Sequence, residues 1–220
     1  MSVPLVLDWD GTVTERDTLH MALERFGDLD VFHALEAEIG RRLTLQEVIA
    51  SELRTITAPL ADVVSWLLEH VRVRAGLPEL VAARDPLIVS AGFHELISPV
   101  LAREGVRARV VANTVEAEPS GWRAVFPPAA PCPVCGERCK RSAVAHLSRF
   151  DYVGDGVSDR CVAFAAERVF ARAGLARYLD ALGVPYVPFD DLHDVRTPPG
   201  PPARRPARPG PARDRTRADG

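Results

Sequence analysis

Asp8-Trp9-Asp10-Gly11-Thr12 places two carboxylates two residues apart, directly after the apolar run Val3-Pro4-Leu5-Val6-Leu7. On an extended segment, side chains at i and i+2 point to the same face. Two anions so close would repel, so the pair suits a bound cation. Gly11 lets the chain turn sharply against a ligand. A structural alternative stands beside this, because Asp-Gly is also a common turn pair. Val153-Gly154-Asp155-Gly156-Val157-Ser158-Asp159 repeats the theme, with acidic residues among glycines where one element ends and another begins. Asp155 is a hard oxygen ligand of the kind Mg2+ prefers, and Asp159 could orient water or a lysine. The alternative is a capped turn. Ser90-Ala91-Gly92 offers a hydroxyl and backbone amides, a seat for phosphate at a helix start.

Lys140 is the only lysine among 27 basic residues. Arginine and ammonium differ in shape, hydration and donor geometry, so this position suits a site that demands lysine. Drift is the competing explanation. Cys132, Cys135 and Cys139 precede it within eight residues, and Cys161 follows. In a reducing compartment such spacing suggests a metal site or reduced thiols more than a disulfide framework. Cys132-Pro133-Val134-Cys135-Gly136 resembles a zinc knuckle. Cys139 gives a third sulfur, and Cys161, His94 or His146 could give a fourth. The alternative is a loop of free thiols. His20, His33, His70 and His193 show no ligand spacing and are expected on surfaces or helices.

These groups need elements to hold them. Residues 3–9 read as a short buried strand. Residues 16–84 read as several helices with no strand. Thr44-Leu45-Gln46-Glu47 fits a capping box, and Leu60, Val63, Val64, Leu67, Leu68 and Val71 keep the spacing of one buried helical face. From Asp85 strands and helices alternate: strands at 87–89, 107–112, 151–153, 168–170 and 185–187, a turn or hairpin over 114–128, and helices around 93–101, 140–149, 157–166 and 173–182. Alternation of this kind predicts an α/β fold, a doubly wound parallel sheet. No internal repeat is evident. Residues 197–220 are rich in Pro and Arg and poor in large apolar residues, so they are expected to be disordered.

The chain has 220 residues, 47% hydrophobic, enough for one sizeable core with a smaller insertion, and a net charge of -3. That balance points to neither a nucleic-acid nor a membrane partner. No targeting or transmembrane segment is expected, which makes a cytoplasmic protein the default.

Asp8 to Thr12, Ser90, Lys140 and Gly154 to Asp159, taken in order, resemble the haloacid dehalogenase (HAD) superfamily pattern of D-x-D-G-T, a Ser/Thr, a Lys and G-D-G-x-x-D. The resemblance spans about residues 3–195. It implies a HAD-like Rossmannoid core over 1–15 and 85–196, and an inserted helical C1-type cap over 16–84. It implies a magnesium-dependent phosphatase acting on a small phosphorylated metabolite. Asp8 would be the nucleophile that becomes an aspartyl phosphate, and Asp10 the acid and base. Mg2+ would sit on Asp8, Asp155 and the Asp10 backbone carbonyl, steadied by Asp159. Thr12, Ser90, Gly92 and Lys140 would bind phosphate. Asp17 lies near where phosphoserine phosphatases read the substrate amine. Arg41, Arg42 and Arg54 are either cap contacts or surface residues.

Glu167-Arg168-Val169-Phe170-Ala171-Arg172, Leu175, Tyr178, Pro188-Phe189 and Cys139-Lys140 resemble subfamily IB. Within it they are similar to methionine-salvage phosphatases of 2-hydroxy-3-keto-5-methylthiopentenyl 1-phosphate, with phosphoserine phosphatases as the alternative. More distant alternatives are a sugar phosphomutase and a non-enzymatic binding module.

Overall fold

The computed structural model describes residues 3–196, so the expectation for 197–220 lies outside the described residues. Leu5–Leu7 forms β1, buried at all three positions. Five helices follow before the next strand: α1 (Thr18–Phe26), α2 (Leu29–Glu36), α3 (Leu45–Leu53), α4 (Leu60–His70) and α5 (Leu77–Arg84). The second half runs β2 (Leu87–Phe93), α6 (His94–Arg103), β3 (Arg109–Glu116), β4 (Arg123–Val125), α7 (Lys140–Ala143) and β5 (Asp151–Gly154). A 3₁₀ turn at Val157–Asp159 leads to α8 (Arg160–Ala163), β6 (Arg168–Ala171), α9 (Ala173–Ala181), β7 (Val187–Pro188) and α10 (His193–Arg196).

The strands make one seven-stranded sheet in the order β4-β3-β2-β1-β5-β6-β7. All neighbours are parallel except the β3–β4 hairpin. The order reverses at β1, which pairs with β2 on one side and β5 on the other. In open α/β sheets the crevice at such a switch point, beyond the carboxyl ends of the strands, is where ligands bind. β1, β2 and β5 end there with the three acidic or hydroxylic motifs. The flanking layers are apolar. Leu5, Leu7, Ile88, Ile97 and Val100 pack on one face of the sheet, and Val6, Val89, Tyr152, Val162 and Leu175 on the other.

Helical patterning is realised locally. Thr44 accepts from the Glu47 amide at 3.2 Å and Glu47 accepts from the Thr44 amide at 2.8 Å, a complete capping box at the start of α3. In α4 the deepest residues of the apolar stripe are Val63 and Leu67, with Val71 as its C-cap. The β3–β4 hairpin docks on these helices through Trp122, whose indole N–H donates to Ala58 O at 2.9 Å and whose amide donates to Ile56 O at 3.0 Å.

Several elements differ from expectation. β3 lies at Arg109–Glu116 rather than 107–112, because it continues into the hairpin. The helix expected over 140–149 is only Lys140–Ala143; beyond it, only Val144 and Phe150 are fully buried, too little to sustain a helical stripe. The helix expected over 157–166 is divided. The Asp159 carboxylate draws in the Asp155 and Gly156 amides, both at 2.8 Å, and tightens the first turn to 3₁₀. β7 shrinks to Val187–Pro188, since Pro185 before it and Pro188 within it lack ladder donors.

Candidate active site

The Asp8 amide still donates to Val153 O of β5 at 2.9 Å. The chain then wraps around the Trp9 carbonyl, which accepts from the amides of Thr12, Val13 and Thr14 at 3.3, 2.8 and 3.0 Å. Asp10 therefore lies in a turn and not on the strand. It shares a cavity with Asp8 through that turn, which corrects the strand-alternation argument. Gly11 makes the turn possible, with φ +75, and a Cβ there would lie 2.7 Å from the Asp155 carboxyl carbon. Arg74 holds the loop from outside, donating to Thr12 O at 3.0 Å and Gly11 O at 3.2 Å.

The two Asp8 oxygens differ. Oδ1 accepts from the Trp9 amide at 2.7 Å and from Lys140 Nζ. Among the described residues Oδ2 has only a distant Thr12 hydroxyl, 3.5 Å away, and that hydroxyl has a closer acceptor in Asp155 Oδ1 at 2.9 Å. Oδ2 is thus the oxygen with lone pairs to spare.

Asp159 is the opposite case. Its Oδ1 accepts from Lys140 at 2.7 Å and Tyr152 at 2.6 Å, and its Oδ2 from two amides at 2.8 Å. Burial works against its charge, but Lys140 and these donors outweigh it and hold the carboxyl below its usual range. Lys140 is itself buried. That opposes its charge, yet Asp159 and Asp8 push its pKa up.

Burial, then the Asp159 charge, pushes Asp8 well above the ordinary carboxylate range against the pull of Lys140. The same two causes raise Asp155 to about 6. Asp10 is raised to about 7 by burial and by Asp17, with the Thr18 hydrogen bonds opposing. Thr18 binds Asp10 Oδ1 through its amide at 2.7 Å and its hydroxyl at 2.5 Å, while Ser90 donates to Oδ2 at 3.3 Å. The Gly92 amide is not free, since it donates to Ser90 Oγ at 2.8 Å. β2 also continues through Phe93 before α6 starts, so Ser90 and Gly92 sit on a strand end and not at a helix start.

Carboxylate oxygens of Asp8, Asp155 and Asp159 lie within 4.8 Å of one another. Four carboxylates, counting Asp10, thus surround a single ammonium. That excess of negative charge and hard oxygen fits a divalent cation such as Mg2+. Asp8 and Asp155 have coordination capacity left, while Asp159 is filled by its donors, the Ser158 hydroxyl at 3.5 Å among them.

Asp8, Asp10, Lys140 and Asp155 line a cavity of about 380 Å³ whose far wall comes from α1, α2 and α3. Asp17, Glu36 and Glu52 face it there, together with His20, Phe32 and Ile49. Asp17 also caps α1, accepting from the His20 amide at 2.8 Å. Glu52 is 2% exposed, and its Oε1 has no hydrogen-bond partner among the described residues. Burial, then Glu36 and Asp17, raise its pKa to about 8. Arg41, Arg42 and Arg54 do not line this cavity, and Arg42 pairs instead with Glu38 at 2.7 Å.

Sequence reasoning missed Thr18, Arg74, Tyr152, Glu36 and Glu52, and it placed His20 among residues without a site. Only Glu52 carried a signal: it occupies the buried stripe of α3 with Val48, Ile49 and Leu53, where a carboxylate is out of place. The cysteines gather separately. Cys161, and neither His94 nor His146, joins Cys132, Cys135 and Cys139. Among the described residues no helix is long and apolar enough to cross a membrane.

Comparison with known proteins agrees with this geometry. Residues 5–163 match the haloacid dehalogenase-like hydrolase family. The chain is 31% identical over 205 residues to the 2-hydroxy-3-keto-5-methylthiopentenyl-1-phosphate phosphatase of Geobacillus thermodenitrificans, covering 87% of this chain and 92% of that one. It is 25% identical over 210 residues to the protein of the same name from Bacillus mycoides, covering 89% and 94%. Among solved structures it is similar to a phosphoserine phosphatase from T. onnurineus, with TM-score 0.64, 15% identity and coverage of 89% and 93%. A substrate-bound phosphoserine phosphatase complex gives TM-score 0.66 at 13% identity, covering 89% and 97%. At such identities the structures speak for the fold, which they share over nearly their whole length. The family match and the conjunction of carboxylates, hydroxyls and lysine at the sheet's switch point lead to one assignment: this chain belongs to the haloacid dehalogenase-like hydrolase family and is a phosphatase of phosphoric monoesters.

Proposed function

We propose that the chain hydrolyses a small phosphorylated metabolite by forming an aspartyl phosphate on Asp8, with Mg2+ held by Asp8, Asp155 and the Asp10 backbone carbonyl. The observation that carries this reading is the asymmetry of Asp8, a residue that lines the cavity: one oxygen is pinned by Trp9 and Lys140, and the other has only a distant Thr12 hydroxyl among the described residues. The bound ion would supply charge neutralisation around the phosphoryl oxygens.

In the first step an Asp8 oxygen bonds to phosphorus as the ester oxygen leaves, and Asp10 gives that oxygen its proton. A group raised to about 7 is partly protonated near neutrality and can donate. In the second step Asp10 takes a proton from water, and the oxygen of that water displaces Asp8 from phosphorus. Inorganic phosphate leaves, and both aspartates return to their starting states. Thr12, Ser90, the Gly92 amide and Lys140 are the donors for the phosphoryl oxygens. Ser90 and Gly92 exchange their mutual contact for the substrate. Asp159 holds Lys140 in place.

For the leaving group, the named relatives support a methylthiopentenyl phosphate of the methionine-salvage type. A second reading, an amine-bearing phosphomonoester such as phosphoserine, rests on the three carboxylates Asp17, Glu36 and Glu52 that face the cavity. A cation there would relieve the unpartnered Glu52 Oε1. Hydrolysis of p-nitrophenyl phosphate that requires Mg2+ and disappears in Asp8→Asn tests the chemistry, and activity surviving in that variant overturns the nucleophile. A panel of methylthiopentenyl phosphate, phosphoserine, phosphocholine and sugar phosphates ranks the substrates by kcat/KM. A phosphate moved within a sugar and not released would instead mark a mutase.

A further inference from the structure

The four cysteines lie outside the phosphoryl site and have no part in the chemistry above. Cys132 and Cys135 sit in the segment before α7, Cys139 is the N-cap of α7, and Cys161 is the second residue of α8. All four are free thiols. Their sulfurs lie within 4.8 Å of one another, with Cys132–Cys161 at 3.8 Å and Cys135–Cys139 at 3.5 Å. A disulfide requires about 2.05 Å. Four thiolates bound at roughly 2.3 Å to one tetrahedral ion stand about 3.8 Å apart. The observed spacings match the second geometry.

The backbone is arranged to the same end. The Cys132 amide donates to Glu137 O at 2.8 Å, and the Gly136 amide donates to Cys132 O at 2.9 Å, so the chain folds back on itself. Gly136 has φ +77 with open space around it, so its glycine serves the turn and not a close contact. This tight turn brings Cys132 and Cys135 side by side.

Among the described residues the segment has little else to anchor it. From Pro127 to Arg138 every residue is exposed except Cys132, and four of these residues are prolines. An irregular stretch of this kind buries too little apolar surface to fix its own conformation. Yet it delivers Lys140, which must meet Asp8 and Asp159 inside the fold. Cys139 precedes Lys140, and Cys161 follows Asp159 by two positions. A link between those cysteines runs alongside the Lys140–Asp159 ion pair.

We propose that Cys132, Cys135, Cys139 and Cys161 bind one Zn2+ in a closed four-thiolate site that anchors the 127–138 segment beside the catalytic lysine. Four sulfur ligands leave no position open for substrate, so the ion is structural.

The test uses the full-length protein, purified under reducing conditions without added metal. Elemental analysis should find one zinc per chain. Replacing it with Co2+ should produce thiolate-to-cobalt charge-transfer absorption in the near ultraviolet and ligand-field bands in the red. Asp8→Asn should keep both signals, because the carboxylate site is not their source. Cys161→Ser and Cys135→Ser should each lose zinc to a chelator that leaves the unsubstituted protein loaded. Stripping the metal should open the 127–138 segment to proteolysis. The wild-type cobalt spectrum decides the matter even if a variant fails to fold. Absence of zinc with no charge-transfer band on adding Co2+ overturns the proposal. So does a disulfide found by mass in the reduced preparation, or a charge-transfer band in Cys161→Ser as intense as that of the unsubstituted protein.

Discussion

Lys140 Nζ lies 2.7 Å from Asp159 Oδ1 and in the same place contacts Asp8, so one buried ammonium bridges the ends of β1 and β5. Removing one member of a buried ion pair leaves its partner charged and unpaired, at a cost of about 3–5 kcal/mol. Lys140→Ala is therefore expected to lower stability by about 3 kcal/mol in urea or guanidinium unfolding, with activity lost. Lys140→Arg should retain most of the stability but little activity, because a planar guanidinium cannot present one point charge to both carboxylates. Wild-type turnover in Lys140→Arg would remove the lysine from the mechanism.

Gly11→Ala should fold poorly around the carboxylate site. Its φ of +75 disfavours any side chain, and the added methyl would press on the Asp155 carboxylate. The expected outcome is a fall in kcat/KM of about 100-fold or more, the range that follows from displacing a catalytic group by an ångström. A parallel rise in the Mg2+ concentration needed for half-maximal rate would show that Asp155 has moved. Full activity with unchanged Mg2+ dependence would show that the packing is softer than its geometry suggests.

Glu52 makes stability depend on pH. Its carboxyl rises from 4.5 to about 8 on folding, chiefly through burial and then through Glu36 and Asp17. Below 4.5 the group is protonated in both states and contributes no difference. As pH climbs through the window, the unfolded chain releases the proton while the folded protein keeps it, so stability falls until about pH 8. Glu52→Gln removes this penalty. It should raise stability by an amount that grows across the window, to about 4 kcal/mol at its upper end, and vanishes at pH 4, as read by unfolding at each pH. A constant gain at all pH values would mean that Glu52 is not the titrating group. If the substrate carries an amine, the same variant should raise KM for it and spare p-nitrophenyl phosphate.

Thr44→Ala removes the side-chain half of the α3 capping box, in which the Thr44 hydroxyl accepts from the Glu47 amide at 3.2 Å. The expected loss is about 1 kcal/mol of stability, read by denaturant midpoint. Thr44 itself does not line the carboxylate cavity, so hydrolysis of p-nitrophenyl phosphate should be unaffected.

Local order along the chain was enough for the parallel sheet and the identity of the acidic motifs. Apolar runs ending in Asp8, Ser90 and Asp155 mark buried strands that terminate in chemistry, and alternation with helical stripes leaves few topologies open. The isolated lysine and the Thr44–Glu47 box could also be found there, because each depends on residue type at close spacing. Only the tertiary structure decided what depends on separate segments meeting. It placed Asp10 in a turn with Thr18 as its partner, and it chose Cys161 over His94 and His146. It also divided the roles of the carboxylates, saturating Asp159 with donors on both oxygens while leaving Asp8 Oδ2 open. The physical reason is that desolvation and Coulomb interactions depend on distance through space. Lys140 and Asp8 are 132 positions apart along the chain and in contact in the fold.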